Sequence, residues 1–296
     1  MGTNLFWKGE LLQSEPHLQR AVELYRFDSR GQRILQTSRD LGVASHAHIS
    51  TLLSYLGHFE TAETHLTRAF EIAHKLKHPF SIGYALCSAA HFYRINRSPE
   101  QTLESAEQAI ALSSKEGFKY WEFQALLLSG WAYSQLGEIR KSITSVLTGL
   151  ESMRKIGAYI WRPEQFIILA NAYFRDGQIK RACNMIAKAM SASEKTCWDY
   201  YEAEIFRNKG EILRASGYGE DVEVNDLFLK ALSTARRQHN RLYELRALKS
   251  CIKVCQDSDQ KNRYQNELLV CIEAFPEKIN STDLAEARRY LSPNDT

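Results

Sequence analysis

The stretch Leu126-Leu127-Leu128-Ser129-Gly130-Trp131-Ala132-Tyr133-Ser134-Gln135-Leu136-Gly137 decides the fold. Leu126, Ser129, Gly130 and Tyr133 fall at i, i+3, i+4 and i+7, one face of a helix. A glycine inside a helix costs about 1 kcal/mol relative to alanine, so Gly130 signals the close approach of a second helix, with Tyr133 filling the space beside it. Gly137 ends the helix where the chain turns through positive φ.

Outward from this stretch the same residue types return every 40 positions. Small residues stand at Ser50, Ala90, Gly130, Ala170 and Gly210, and Leu53, Tyr93, Tyr133, Tyr173 and Leu213 follow them. The turn ladder reads Gly57, Arg97, Gly137, Gly177, Gly217, and a second small-residue ladder reads Ala69, Ala109, Gly149, Ala189. Within the unit, a second helix from about Glu138 to Lys155 turns Ile139, Ser142, Val146 and Gly149 inward, and Gly157 closes it. A hairpin of this kind cannot bury its apolar stripe alone; stacking completes the core. The expected fold is all-α: a right-handed superhelical solenoid of about six helix–turn–helix repeats with a 40-residue period. Two irregularities stand out. Arg97 breaks the glycine ladder, and Pro99 is expected to supply that turn instead. Ser216-Gly217-Tyr218-Gly219 lengthens its turn by two residues, since the next ladder alanine is Ala231.

The organisation reads as one helical-repeat domain over 1–296. An N-terminal half-repeat and insertion occupy 1–40, five regular hairpins 41–240, and a degenerate last hairpin with a capping helix 241–296. Leu11 to Tyr25 reads as a second helix with too few residues before Gly9 for its partner, and an insertion of eight residues is assigned to the polar stretch Arg26 to Arg39. A chain that begins in mid-repeat reads as cut. Its half-repeat is expected to expose an apolar face that recruits a partner helix or a second copy of the chain. At the other end Ser281-Thr282-Asp283 caps a short helix, Leu284 to Leu291.

Composition is that of a folded protein, 44% apolar and 25% charged. A net charge of +3 argues by itself for neither nucleic acid nor membrane. Residues 230–263 nevertheless carry nine Lys or Arg against Glu244, Asp257 and Asp259. A solvated helix face is the reading, with an acidic partner or a nucleic-acid contact as the sharper alternative. The chain has no apolar run of about eighteen residues, its N-terminus lacks a signal-peptide layout, and its six cysteines are scattered. Free thiols in a reducing cytoplasm are expected.

Motifs for chemistry are absent from the sequence. It holds no Gly-x-x-x-x-Gly-Lys-Ser/Thr phosphate loop, no Gly-x-Ser-x-Gly elbow and no interpretable triad. His46 and His48 face different directions on a helix, and Cys251 and Cys255 lack a second ligand pair, so no metal, cofactor or catalytic residue is assigned.

The pattern Tyr55-Leu56-Gly57-His58-Phe59 with Ala62 and Ala69 resembles the tetratricopeptide repeat. More particularly, an ordered series of segments resembles the C-terminal helical-repeat region of bacterial signalling proteins that join an adenylate cyclase, kinase or LuxR-type domain to a STAND-type ATPase. They are Leu41-Gly42-Val43-Ala44, His78-Pro79-Phe80-Ser81, Glu116-Gly117-Phe118 with Trp121, Gly130-Trp131-Ala132, Gly157-Ala158 with Trp161-Arg162-Pro163, Tyr201-Glu202-Ala203-Glu204, and Lys209-Gly210-Glu211. The resemblance implies a sensor or scaffold rather than a catalyst.

It also implies that first helices line a concave face. The residues placed there are His91, Arg94, Trp131, Asn171, Phe174, Arg207, Glu211 and Arg214, a groove suited to an extended or helical peptide with an acidic group. Packing between hairpins is the bland reading of Trp131 and Phe174. The aromatics Tyr120, Trp121, Tyr159, Trp161, Trp198, Tyr200 and Tyr201 recur at first-helix starts and read as inter-repeat packing, since too few basic residues interleave them for a base-stacking platform. The function expected is non-catalytic binding of a protein or peptide within a bacterial signalling system. A peptide-sensing receptor, or an accessory or truncated sensor region of an adenylate cyclase or ATPase, is the alternative. Neither nucleic acid nor membrane is an expected partner.

Overall fold

The computed structural model describes residues 1–25, 40–275 and 281–291, so the insertion assigned to Arg26–Arg39 lies outside the described residues. Among the described residues are fifteen α-helices and no strand. A short α1 (Gly2–Trp7) and α2 (Leu11–Leu24) precede six consecutive hairpins. These are α3 (Leu41–Leu56) with α4 (Phe59–Leu76), α5 (Pro79–Ile95) with α6 (Pro99–Glu116), and α7 (Lys119–Gln135) with α8 (Ile139–Lys155). Then come α9 (Arg162–Arg175) with α10 (Ile179–Thr196), α11 (Glu202–Ser216) with α12 (Asp221–Arg237), and α13 (Arg241–Val254) with α14 (Ser258–Glu273). A 3₁₀ turn, Asp199–Tyr201, leads into α11, and α15 (Thr282–Arg289) ends the described chain.

The ladders have the physical cause their residue types imply. A Cβ on Gly130 would overlap Val146 Cγ2 and lie 3.2 Å from the Ser142 carbonyl oxygen, so α7 and α8 touch through backbone at that point. At the turn after α7, Gly137 takes φ +86° and Glu138 N–H donates to the Tyr133 carbonyl at 2.8 Å. Arg97 corrects the expectation built on Pro99. It adopts φ +58° itself, with Ser98 N–H donating to the Tyr93 carbonyl at 2.9 Å, the same closing bond as at Gly137. Pro99 merely opens α6. Left-handed backbone is less favourable for a residue with a side chain than for glycine, yet Arg97, like Lys77 and Cys197 at other helix ends, adopts it.

First helices form an inner layer in which α3, α5, α7, α9, α11 and α13 each touch the next, and second helices lie outside. The layer closes on itself. α3 meets α13 through Tyr55 and Tyr243, whose rings lie 5.1 Å apart, and Arg241 donates to the Leu56 carbonyl at 3.3 Å. Because the C-terminal end of α3 meets the N-terminal end of α13, the two helices are offset along the superhelix by roughly one helix length, about 20 Å. The N-terminal helices join the same closure. α1 packs against α2 and the 3₁₀ turn, with Phe6 between Tyr55 and Tyr200 and Trp7 against Trp161 at 4.5 Å. Phe6, Leu11 and Leu18 are buried against the chain's own helices, so that part of the apolar face expected to recruit a partner is covered, while Met1, Leu12 and Leu24 stay exposed.

Candidate functional site

Closure divides the interior into a sealed part and an open part. The sealed part forms where the C-terminal end of α5 meets the N-terminal end of α9. Glu164, 3% exposed, accepts from the Arg94 guanidinium, from Tyr200 Oη at 3.2 Å, and lies 3.1 Å from His91 Nε2. Burial pushes the Glu164 carboxyl up, and Arg94 and His91 more than offset it, so the group stays ionised. Burial holds His91 below the usual histidine range, against the pull of Glu164.

The open part is a cavity of about 970 Å³, walled by α7, α9, α11, α13, α14 and α15. Trp131 and Gln135 come from α7, and Ile167, Ile168 and Asn171 from α9. From α11 come Glu204, Arg207, Asn208 and Glu211, and from α13 Arg246, Lys249 and Lys253. Asn171 Nδ2 donates to Asn208 Oδ1 at 2.8 Å. Glu204 accepts from Arg207 Nε at 2.5 Å and Nη2 at 2.9 Å. Burial raises the Glu204 carboxyl, but Arg207 pulls it below the usual carboxylate range. Lys261 of α14 and Arg289 of α15 also line the space and have no ion-pair partner among the described residues.

Five of the eight groove residues read from the sequence, Arg94, Trp131, Asn171, Arg207 and Glu211, line this cavity. Arg94 reaches its inner edge but is buried and committed to Glu164. His91 belongs to the seal. Phe174 packs partly buried against the core, and Arg214 is exposed beside Glu211 at 3.3 Å. The reason for the last two is angular. At 3.6 residues per turn they sit about 40° from the ladder residues Ala170 and Gly210, whereas the lining residues of α9 and α11 fall between about 60° and 160°. Ile168, Glu204 and Asn208, in that stripe, were missed.

The structure also regroups the basic segment. Lys230, Arg236, Arg237, Lys253 and Arg263 lie on an exposed face, while Arg246 and Lys249 are drawn into the interior, and most of the segment's cations are paired within the chain. Arg236 pairs with Glu244 and Glu267, Arg237 with Glu202, and Arg246 and Lys249 with Asp283 of α15. Asp283, 3% exposed, accepts from Arg246 Nε at 3.0 Å and Nη2 at 2.7 Å, and from Lys249 at 3.2 Å. Burial would raise its carboxyl, but Arg246 and Lys249 outweigh that and hold it well below the carboxylate range. Arg97, the lapse in the glycine ladder, donates to Asp283 at 3.4 Å and to Glu286 at 2.6 Å.

The aromatic series divides between two tasks. Trp121 stacks on Tyr84 of the preceding hairpin at 4.8 Å, whereas Trp161, Trp198 and Tyr200 grip Trp7 of α1. His46 and His48 point apart, as read. His46 Nδ1 lies 2.9 Å from His65 Nδ1, and Tyr84 Oη 3.0 Å from His48 Nδ1. Among the described residues no three His, Cys, Asp or Glu are grouped to hold a metal ion, and no helix is long and apolar enough to cross a membrane.

No protein-family model matches the chain. An uncharacterized protein of Rhizobium meliloti (strain 1021) is 23% identical over 190 residues, covering 64% of this chain and 18% of that protein. The chain thus spans less than a fifth of that relative's length. Among solved structures, NprR in complex with its cognate peptide NprX is similar with a TM-score of 0.61 at 16% identity, over 94% of this chain and 81% of that one. The apo form of RapI gives 0.56 at 14% identity, over 98% and 96%. The anaphase-promoting complex hetero-tetramer Cut9–Hcn1 gives 0.56 at 16%, over 98% and 55%. The chain is a tetratricopeptide-like solenoid. At these identities the likeness is one of fold, and the site must be argued from its own residues.

Proposed function

We propose that this solenoid is a non-catalytic receptor or scaffold that takes a short acidic segment of a peptide or protein into the open part of its interior. The observation that carries the reading is the charge of the cavity wall. Apart from Arg94, which is paired with Glu164, seven cationic residues line it (Arg97, Arg207, Arg246, Lys249, Lys253, Lys261, Arg289) against Glu204, Glu211, Asp283 and Glu286. A cavity of about 970 Å³ is at the upper end of small-ligand sites and has room for several residues of a peptide. Trp131 offers an aromatic anchor, Asn171, positioned by Asn208, offers its amide oxygen to a peptide backbone, and Lys253, Lys261 and Arg289 offer charge. Neighbours of the same fold support the peptide reading, since one of them was solved with its cognate peptide. A regulatory role in bacterial signalling, in the cytoplasm where six free thiols stay reduced, is part of the same proposal. A long relative that contains a segment like this chain supports a module working beside other domains or subunits.

Fluorescence anisotropy with labelled acidic and neutral octapeptide libraries tests it. Wild type is expected to bind acidic members preferentially, with affinity falling as salt rises. Trp131→Ala combined with Asn171→Ala, checked for folding by circular dichroism, is expected to bind them at least tenfold more weakly. Equal binding of acidic and neutral peptides by wild type would sink the reading.

A further inference from the structure

The terminal helix is held in an unusual way. Of its eight residues only Leu284 and Ala287 are buried apolar side chains, and Asp283 is the third buried residue. Beyond the Gln265 Nε2 bond to the Tyr290 carbonyl at 2.7 Å and the packing of Tyr290 and Leu291 at its C-terminal end, the rest of its anchorage is ionic. Asp283 and Glu286, three residues apart and therefore on one helix face, meet Arg97, Arg246 and Lys249. Those three cations come from parts of the chain roughly 150 residues apart in sequence. Arg246 is fixed independently of α15, because its Nη2 also donates to the Ile95 carbonyl at 2.8 Å. Arg97 keeps a left-handed backbone where the other positions of its ladder have glycine. The cradle is thus built where the end of α5 and its turn meet α13, and α15 is laid into it. α15 is also a wall of the cavity, through Asp283, Glu286, Arg289, Tyr290 and Leu291.

We propose that Arg97, Arg246 and Lys249 form a dicarboxylate cradle whose occupant in this structure, α15, exchanges with an acidic helix of a partner protein bearing two carboxylates three residues apart. The proposal rests on the reading of the cavity as a peptide site and adds its regulation: the chain's own helix is the resident competitor. The chemistry of the occupant follows from what departure would leave behind. Removing α15 takes both carboxylates from Lys249 and Arg97 and leaves Arg246 only Glu204 at 3.8 Å, an unfavourable state for the two more deeply buried cations, Arg246 and Lys249. Only a ligand that returns two carboxylates in similar geometry restores it. A neutral helix or a single carboxylate does not.

The probe is a fluorescein-labelled peptide of residues 281–291, added in trans to the full chain. In wild type the tethered α15 competes at high effective concentration, so weak binding is expected. In the full-length Asp283→Asn, Glu286→Gln double variant the resident helix loses its hold, and the peptide is expected to bind at least tenfold more tightly. A peptide carrying the same two substitutions is expected to bind neither protein. Equal peptide affinity for wild type and variant, or no binding to either, overturns the proposal. Should the variant fail to fold by circular dichroism, hydrogen exchange on wild type decides. α15 amides exchanging well ahead of those of α13 support exchange, and release only with global unfolding overturns it. Light scattering addresses a second copy as occupant, since dimers of wild type that grow with concentration and vanish in the variant would replace the partner protein by another copy of this chain. Adding Trp131→Ala and Asn171→Ala to the variant separates the two readings. The cradle predicts that the 281–291 peptide still binds, while the acidic octapeptides of the cavity are lost.

Discussion

His91 on α5 and Asn171 on α9 occupy the same position of the 40-residue register and meet opposite fates. His91 is 4% exposed and locked beside Arg94 and Glu164, whereas Asn171 is half-buried and lines an open cavity. The register fixed which helix face each residue occupies. It did not fix what that face meets, because the C-terminal end of α5 is carried by superhelical rise onto the start of α9, and the C-terminal half of α9 has no such cover. A solenoid's inner surface is therefore not one groove. Where the superhelix overlaps itself it becomes core, and the remainder becomes site.

The largest expected effect tests that division directly. Glu164→Gln leaves the Arg94 guanidinium buried without its counter-charge, and a loss of about 3–5 kcal/mol in folding stability is expected. Glu204→Gln removes the corresponding partner of Arg207 at the cavity wall. There the guanidinium reaches water, with 21% of its side chain exposed, so a loss of about 1–2 kcal/mol is expected. Guanidinium denaturation of both variants checks the pair. Equal losses would mean that the seal and the wall are not electrostatically different environments.

Much of the fold was legible in the sequence because each hairpin is specified by nearby residues. Gly130 against Val146, and the turn bond at Gly137, are decided within about twenty residues. Closure was not legible, since it depends on contacts such as Arg246 with Ile95 and Arg97 with Glu286, which lie 151 and 189 residues apart. The small rotation between successive repeats sets which helices finally meet, and no local pattern encodes that sum. The site inherits the same split. Trp131, Asn171, Arg207 and Glu211 follow from helix periodicity alone, while Arg246, Lys249 and Asp283 acquire their roles only through closure. One signal did exist in the sequence. Arg97, the non-glycine in the turn ladder, is the residue whose side chain ties α5 to α15.

Acidification is expected to act on the first two hairpins, over α3 to α5 with the seal's His91, before the rest of the array. His46, His65, His78 and His91 are all held below the usual histidine value, in each case chiefly by burial, with His46 lowered to about 4. All four lie between the start of α3 and the end of α5. In the unfolded chain these imidazoles take a proton near pH 6.5, while the folded ones resist it, so stability falls as pH drops below about 6.5. For His46 the loss continues to about pH 4. A fully shielded imidazole contributes at most about 1.4 kcal/mol per pH unit, and partial exposure lowers that, so about 1–3 kcal/mol should be lost between pH 7 and 5. Denaturation at the two pH values measures the total, and hydrogen exchange locates it. His46→Gln should shrink the difference. Loosening of α9–α13 before α3–α5 would contradict the assignment.

The smallest effect marks the edge of the site. Arg214 was placed in the groove by its register, yet it stands beside Glu211 on the exposed side of α11 at 3.3 Å, with 40% of its side chain exposed. An exposed pair of this kind contributes about 0–1 kcal/mol, so Arg214→Ala should leave both folding stability and acidic-peptide affinity nearly unchanged. Arg207, two turns earlier on the same helix, lines the cavity, and Arg207→Ala should weaken the same peptides severalfold. The two arginines differ by less than 60° around the helix axis by periodicity alone, so the contrast measures how sharply closure cuts the inner stripe. If Arg214→Ala weakened binding as much as Arg207→Ala, the stripe would extend past the ladder glycines, and the ligand would have to reach the outer rim between α11 and α13.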